Sequence, residues 1–191
     1  MTILSHDLLV IDQVTSFLGN DFAIRDAQGQ PIGEIQTEGG MMTRMLMGNR
    51  QLAIVEADGS LLMRIDDVPN FGRDTFDLVG SDGQRFGEIV KQFTLFRKHL
   101  TVKLASDTLE LEGSFWEREF SIAGMHGEVA RVSRQWPGVG AMFLGKERYV
   151  LGFAPSAPVD LRAGIFGAVV ALDLIRQKES RSSSASFGGS D

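Results

Sequence analysis

Apolar residues recur in one frame at four places along the chain. In each unit an apolar residue is followed by a second two positions later, and a glycine stands seven positions after the first. The units begin at Phe22, Leu52, Phe76 and Phe120, and their glycines are Gly29, Gly59, Gly83 and Gly127. Apolar residues that alternate on both sides of a dipeptide such as Asp-Gly are typical of a β-hairpin. We therefore predict that each unit is a hairpin that turns on the two residues ending in its glycine.

A two-residue turn at this place fixes the register of each strand pair. In the first three units it puts apolar residues opposite each other, as one buried face of a sheet requires. The predicted pairs are Phe22 with Ile35, Leu52 with Ile65, Phe76 with Ile89, Ile24 with Gly33 and Leu78 with Gly87. In the fourth unit Phe120 would face Ser133, so we expect a slipped register or a β-bulge there.

A fifth unit has Asp107 where the others have glycine. Its predicted pairs are Val102 with Leu111 and Leu104 with Leu109. Three shorter apolar runs, at residues 8–11, 44–47 and 148–153, complete about a dozen evenly spaced strands. Many short strands in hairpins indicate an antiparallel barrel or a sandwich. The lumen of a closed barrel must be filled.

One segment near the end of the chain has the pattern of a buried helix. From Ala163 to Leu172 no side chain is polar. A membrane-spanning helix needs roughly 20 apolar residues, about twice this run, so we expect no transmembrane span. A short helix that is apolar on all sides is typical of the centre of a soluble protein. We predict a central helix over residues 160–176 whose core residues are Ala163, Ile165, Phe166, Val169, Val170 and Leu172.

Two glycines and one acid interrupt the large apolar side chains of this helix. Gly164 and Gly167 let neighbouring backbone or side chains approach closely, so we expect them to contact the surrounding strands. Asp173 is a carboxylate among apolar neighbours and has to be paired, hydrogen-bonded or protonated. We expect it to reach the mouth of the barrel and meet an arginine or backbone donors.

The chain of 191 residues has the length of one domain. We predict an N-terminal tail at residues 1–6, a barrel domain at 7–178 and a disordered polar tail at 179–191, which is rich in serine. The first residues lack a basic region followed by an apolar stretch, so we expect no signal peptide. We expect a cytoplasmic monomer.

Composition excludes several kinds of function. The formal net charge of −6 argues against a general nucleic-acid binder, whose affinity depends on neutralising phosphates. There is no cysteine, which excludes disulfides, thiolate metal sites and cysteine nucleophiles.

Two stretches together resemble a known superfamily. The first unit reads F-A-I-R-D-A-Q-G-Q-P-I-G-E-I, and the chain from Val159 reads V-D-L-R-A-G-I-F-G-A-V-V-A-L-D-L. In these features residues 8–176 resemble the phospholipid scramblase and LURP-one-related families. The resemblance implies the tubby-like fold, a closed antiparallel barrel of about twelve strands around one buried C-terminal hydrophobic helix. It also implies a non-enzymatic protein that binds anionic phospholipid at a membrane surface.

The resemblance is incomplete in the loop before the helix. Animal scramblases carry an acidic loop there, which is proposed to bind calcium. Residues 152–158 of this chain contain no acid. A hard cation needs several oxygen ligands, mostly carboxylates, so we expect no calcium site, no other metal and no cofactor.

The clearest local excess of positive charge lies at residues 89–106, which contain no acid. Its basic residues are Lys91, Arg97, Lys98, His99 and Lys103. Similar tubby proteins bind phosphoinositides with a basic patch, so these residues are our candidates for lipid headgroups at the inner face of the membrane. The alternative is a strand pair with a basic polar face. For the whole protein the alternative is a soluble interaction or scaffold module that binds a protein partner and no lipid.

No catalytic arrangement stands out. The acids at Asp66, Asp67, Asp74 and Asp77 are the candidates for paired carboxylates, but adjacent residues of a strand point to opposite faces. The three histidines are scattered and match no metal-binding spacing. Four methionines between Met41 and Met47 offer an adaptable contact surface or core filling. We expect Trp136 to pack on the core at the end of a strand.

Overall fold

A computed structural model shows a closed antiparallel β-barrel with one α-helix. It describes residues 2–12, 22–38, 51–68, 74–93, 98–105, 107–114, 117–137, 139 and 148–185. Within these residues there are twelve strands, and each pairs with its neighbours in sequence. Pairing of the first strand with the last closes the sheet. The predicted fold class is confirmed.

The bounds of the elements follow the hairpin units. The first six strands are β1 Leu8–Asp12, β2 Phe22–Arg25, β3 Pro31–Glu38, β4 Gln51–Glu56, β5 Leu61–Val68 and β6 Thr75–Gly80. The others are β7 Arg85–Phe93, β8 Lys98–Leu104, β9 Thr108–Ser114, β10 Glu119–Gly124, β11 Gly127–Ser133 and β12 Arg148–Phe153. The helix α1 is Val159–Ala185, and a 3-10 turn, Ile3–Ser5, precedes β1. The predicted strand at 44–47 lies outside the described residues.

The connections divide the barrel into two different ends. At one end, the turn end, short turns join β2 to β3, β4 to β5, β6 to β7, β8 to β9 and β10 to β11, and α1 begins. At the other end, the loop end, the remaining connections join β1 to β2, β3 to β4, β5 to β6, β7 to β8, β9 to β10 and β11 to β12. The helix therefore runs from the turn end towards the loop end.

The first three hairpins have the predicted register but a different turn. Phe22 pairs with Ile35, Leu52 with Ile65 and Phe76 with Ile89. The turns have three residues instead of two, and only the glycine adopts a positive φ, between 77° and 82°. A type I turn followed by such a glycine is a common three-residue hairpin loop. A register shift after Ile24, Ile54 and Leu78 offsets the extra residue, so the predicted pairs survive.

The registers of the last two hairpins differ from the predicted ones. Phe120 pairs with Val132 instead of Ser133, because the register shifts between Ile122 and Ala123, as the alternative of a bulge had indicated. The fifth hairpin pairs Val102 with Leu109 and not with Leu111. Leu104 N–H donates to the Asp107 carbonyl at 2.8 Å, so this hairpin turns one residue earlier than predicted and the strand pairs shift by two residues. Without a glycine at position 107 the longer turn is not favoured.

The helix fills the lumen. Ile165, Phe166, Val169, Val170 and Leu172 are buried, as predicted. Ala163 differs from the prediction of a core residue, because it is only half-buried and packs against the edge of the core. Among the described residues no helix combines the length and the apolar character that crossing a membrane requires.

Both glycines of the helix lie against the barrel wall. A Cβ on Gly164 would come within 2.6 Å of the Leu104 side chain, and a Cβ on Gly167 within 2.5 Å of Leu78. Neither distance is possible without movement, since carbon atoms in contact lie about 3.5–4.0 Å apart. The expected contact points are therefore present, one on β8 and one on β6.

The helix is longer than predicted. It continues past residue 176 to Ala185, although residues 179–191 were expected to form a disordered tail. The sequence from Arg176 to Glu179 consists of strong helix formers, which favour continuation beyond the lumen. Residues 186–191 lie outside the described part of the chain.

The start of the chain is part of the core and not a tail. Ile3 and Leu4 are buried at the turn end, where Ile3 lies against Gly33. The Ile3 N–H donates to the carboxylate of Glu56, at 2.9 and 3.2 Å from its two oxygens. Two apolar residues between polar neighbours were too short a signal to predict this closure.

A buried arginine of the helix holds this segment in place. Arg162 donates to the carbonyls of Leu4, His6 and Ala157 and to the carboxylate of Asp7. Its guanidinium also lies over the Phe153 ring, 5.2 Å from the centroid. Because these hydrogen bonds satisfy its buried guanidinium, Arg162 connects the helix to the N-terminal segment at the turn end.

The enclosure of α1 is tested by substituting Val169 with Asp. Val169 is 2% exposed, so Val169→Asp places an unpaired carboxylate in the lumen. We expect it to lower the free energy of unfolding by more than about 4 kcal/mol and to abolish cooperative folding. Thermal unfolding followed by circular dichroism measures this. The matched control is Val159→Asp on the same helix, where the side chain is 61% exposed. Equal stability of the two variants would contradict the enclosure of α1.

Candidate functional site at the loop end of the barrel

A cluster of charges lies near the loop end, around Asp173 of α1. This carboxylate is 3% exposed. It lies 3.3 Å from Nη2 of Arg118, 3.2 Å from the hydroxyl of Tyr149 and 3.8 Å from Nη1 of Arg176. The expectation that Asp173 meets an arginine is confirmed, and a second arginine and a tyrosine join it.

Arg118 is held in an unusual backbone conformation. It lies between β9 and β10 with a φ of 57°, a region that L residues other than Asn and Asp rarely adopt. Its side chain is buried, and its guanidinium lies over the ring of Tyr149, 5.3 Å from the centroid. Its Nε is buried without a hydrogen-bond partner. The positive φ directs the guanidinium inward at some conformational cost.

Among the described residues, positive charge exceeds negative charge around Asp173. Two guanidinium groups, of Arg118 and Arg176, meet one carboxylate. Burial, followed by repulsion from Arg118, lowers the pKa of Arg176. Burial and the charge of Asp173 raise the pKa of Tyr149 well above its usual value, so this hydroxyl remains a neutral donor. A partly buried excess of positive charge favours an anion.

The turn end has the opposite character. The short turns of four hairpins carry acids and neither lysine nor arginine. These acids are Asp26, Asp58, Asp82 and Asp107. All four accept backbone N–H groups at their turns, for example Asp58 from Ser60 and Asp82 from Gln84 at 2.9 Å. The described hairpin turns of this end therefore carry negative charge, in contrast to the arginines around Asp173.

The structure divides the basic residues that the sequence had grouped. Lys91 is 4% exposed, and its Nζ lies 3.0 Å from the carboxylate of Asp74. Lys103 has a side chain that is 58% exposed and lies 3.9 Å from Glu88 on the outer wall. Successive residues of a strand alternate between lumen and solvent. For this reason Lys91 is not available to a headgroup on the surface, contrary to its place in the predicted patch.

The other members of the patch are located less fully. Lys98 and His99 belong to β8, where they pair with Phe93 and Gln92 near the loop end. Arg97 lies outside the described residues. Their role in binding a headgroup stays a prediction.

The comparisons with known proteins decide the family. The family model described as LURP-one-related matches residues 6–173. The chain belongs to the LURP-one-related family. The crystal structure of a protein from Arabidopsis thaliana resembles this LURP-one-related barrel with a TM-score of 0.57 and 14% sequence identity, over 88% of this chain and 91% of that one. At this identity the likeness concerns the fold alone. No curated protein matches the chain.

Reasoning from the sequence missed three residues of the LURP-one-related protein's charge cluster. Arg176 was detectable, because it stands three positions after Asp173 and therefore lies on the same face of the helix. Arg118 and Tyr149 are 55 and 24 residues away from Asp173 in the chain. No local pattern connects them, since the contact exists only once the barrel has closed.

Two carboxylates on the outer wall of the barrel lie beside arginines. Asp66 and Asp77 face each other on β5 and β6, and each lies near its own arginine. Burial raises the pKa of Asp66, as does repulsion from Asp77, whereas Arg64 opposes the shift. Among the described residues no group of three or more His, Asp or Glu side chains could hold a metal ion.

Two further sequence candidates have different outcomes. The methionines from Met41 to Met47 lie outside the described residues. Trp136 does not pack on the main core as expected. It covers the outer face of the barrel, where a Cβ on Gly152 would lie 2.3 Å from its ring, next to Val10 and Val150. A glycine on β12 leaves the space that the indole fills.

Removing the carboxylate of Asp173 tests the balance of the cluster. Asp173→Ala leaves Arg118 and Arg176 without their shared counter-ion. We expect a loss of about 3–5 kcal/mol in the free energy of unfolding, because buried cations then lack compensation. The double variant Asp173→Ala/Arg118→Met should lose less than the sum of the single losses. Urea unfolding of the four proteins measures the coupling, and additive losses would contradict the ion pair.

Proposed function

We propose that this LURP-one-related protein is a non-enzymatic module that binds anionic phospholipid headgroups with the loop end of its barrel. One observation carries the proposal. Among the described residues, two guanidinium groups lie beside the carboxylate of Asp173 near this end, whereas the hairpin turns at the opposite end carry acids. In a chain with a net charge of −6, we expect this cluster to attract anions although the molecule as a whole is anionic.

The physical basis is the pairing of guanidinium and phosphate. Arginine presents donors in a planar fork that matches phosphate oxygens, and it remains charged when partly buried. A basic residue near an anionic membrane contributes about 1 kcal/mol, and the attraction decreases over about 8–10 Å at moderate salt. Weak and salt-sensitive binding to anionic membranes is therefore the expected behaviour.

The predicted headgroup residues contribute unequally in this proposal. Arg97, Lys98 and His99 adjoin or form the connection from β7 to β8, which is made at the loop end. They add to the charge of Arg176, whose side chain is 20% exposed. Lys91 is left out because Asp74 pairs with it inside the barrel, and Lys103 lies towards the turn end beside Glu88. We propose that the protein acts as a monomer at the cytoplasmic face of a membrane.

Flotation of the protein with vesicles tests the proposal. We expect binding at low salt to phosphatidylcholine vesicles that contain phosphatidylserine, and none to phosphatidylcholine alone. The charge reversal Arg97→Glu/Lys98→Glu should abolish binding, and Arg176→Gln should weaken it. The matched control is Arg85→Gln, since this exposed arginine lies on β7 at the turn end. Absence of binding by the unmodified chain, or an equal loss in Arg85→Gln, would refute the proposal.

Lipid translocation is not part of the proposed function. The helix occupies the lumen with side chains such as Ile165 and Phe166, which are 0% exposed. A barrel filled in this way leaves no path for a headgroup. We expect vesicles with a fluorescent lipid to show the same protected fraction from dithionite with and without the purified protein. A faster loss of the protected fraction in its presence would contradict this expectation.

A further inference from the structure

A groove lies at the turn end, between the β8–β9 and β10–β11 hairpins. Its volume is about 590 Å³, which is within the usual range for binding clefts. Small residues such as Ala123 and Gly124 line it, together with Leu104, which also contacts Gly164 of the helix. The groove is thus built on the rigid core.

Two carboxylates in this groove have no cation beside them among the described residues. Asp107 accepts the N–H groups of Thr108 and Met125, at 2.7 and 3.5 Å. Glu110 is exposed, and its neighbours across the strands, Thr101 and Ala123, carry no charge.

Other carboxylates of the outer wall lie near cations. Asp77 lies 2.9 Å from Arg85, Glu128 lies 2.8 Å from Arg131 and Glu88 lies 3.9 Å from Lys103. The groove carboxylates differ from these three acids, because no cation among the described residues lies within ion-pair distance of them.

One large apolar side chain lies exposed at the rim of the groove. Met125, at the tip of the β10–β11 turn, lines the groove and is 75% exposed. An exposed methionine is a flexible contact that adapts to different apolar partners. Gly124, the residue before Met125, has no room for a side chain, since a Cβ there would lie 2.7 Å from the carboxylate of Asp107. A side chain there would displace the acid.

We propose that this groove binds a segment of a protein partner that presents a lysine or arginine next to a large apolar side chain. The cation pairs with Glu110 and Asp107, which lack one, and the apolar side chain covers Met125 and Leu104. Charge complementarity selects this occupant, because an acidic segment or an anionic lipid would be repelled. The site is at the opposite end from the proposed headgroup site, so the two proposals are independent.

Peptide binding to the full chain tests this inference. The probes are three fluorescein-labelled peptides of equal length, in which lysine alternates with leucine, glutamate with leucine, or lysine with serine. We expect fluorescence anisotropy to show binding of the lysine–leucine peptide alone. We also expect the methyl signal of Met125 to shift in methionine-labelled protein when this peptide is added.

Substitutions in the groove locate the contact. Glu110→Lys should weaken binding at least about tenfold, and Met125→Ser should also weaken it. The matched controls are Glu128→Lys, whose acid lies outside the groove, and Val159→Ser, which removes another exposed apolar side chain. Equal thermal stability of all variants shows that the fold is kept. We expect the thermal stability to be equal, because both groove residues lie on the surface.

Several results would overturn the inference. These are the absence of binding by the lysine–leucine peptide, equal binding of the glutamate–leucine peptide, or unchanged affinity in both groove variants. Self-association of the chain that Met125→Ser abolishes would instead identify a second copy as the occupant, and it would overturn the proposal too. Analytical ultracentrifugation measures this last outcome.

Discussion

A closed sheet of twelve strands encloses a space that has to be filled, and this constraint governs the rest of the molecule. The helix fills it with side chains such as Phe166 and Val170, which are fully buried. Leu78 and Leu104 fit against glycines, so the helix and the wall each provide space for the other. Burial of a Leu, Ile or Phe side chain contributes about 1.5–3 kcal/mol. The wall and its filling are therefore stable only together.

The sequence was sufficient for the architecture because the signals of the fold are local. Apolar residues alternate on both sides of Gly29, Gly59 and Gly83, and a bulge in each hairpin left the predicted register unchanged. Details that depend on the closed barrel could not be derived. The burial of Ile3 and the contact of Arg118 with Asp173 join residues far apart in sequence.

The candidate site was harder to predict than the fold for a related reason. A run of basic residues in the sequence becomes two faces when it folds into strands, so that Lys91 lies inside the barrel and Lys103 outside. Charge that was adjacent in the chain was separated, and charge that was distant was brought together at Asp173. The contrast between the acidic hairpin turns and the arginines around Asp173 is consequently a property of the topology and not of any segment.

The closure at the turn end has a consequence for folding kinetics. The barrel closes by pairing β1 with β12, and Arg162 of the helix then binds the carbonyls of Leu4 and His6, more than 150 residues away in sequence. Contacts of such high sequence separation form slowly, because the entropy of loop closure opposes them. During synthesis the early hairpins can form locally, but their apolar faces stay uncovered until the helix has left the ribosome. The nascent chain is therefore most exposed to aggregation immediately before its last segment is made.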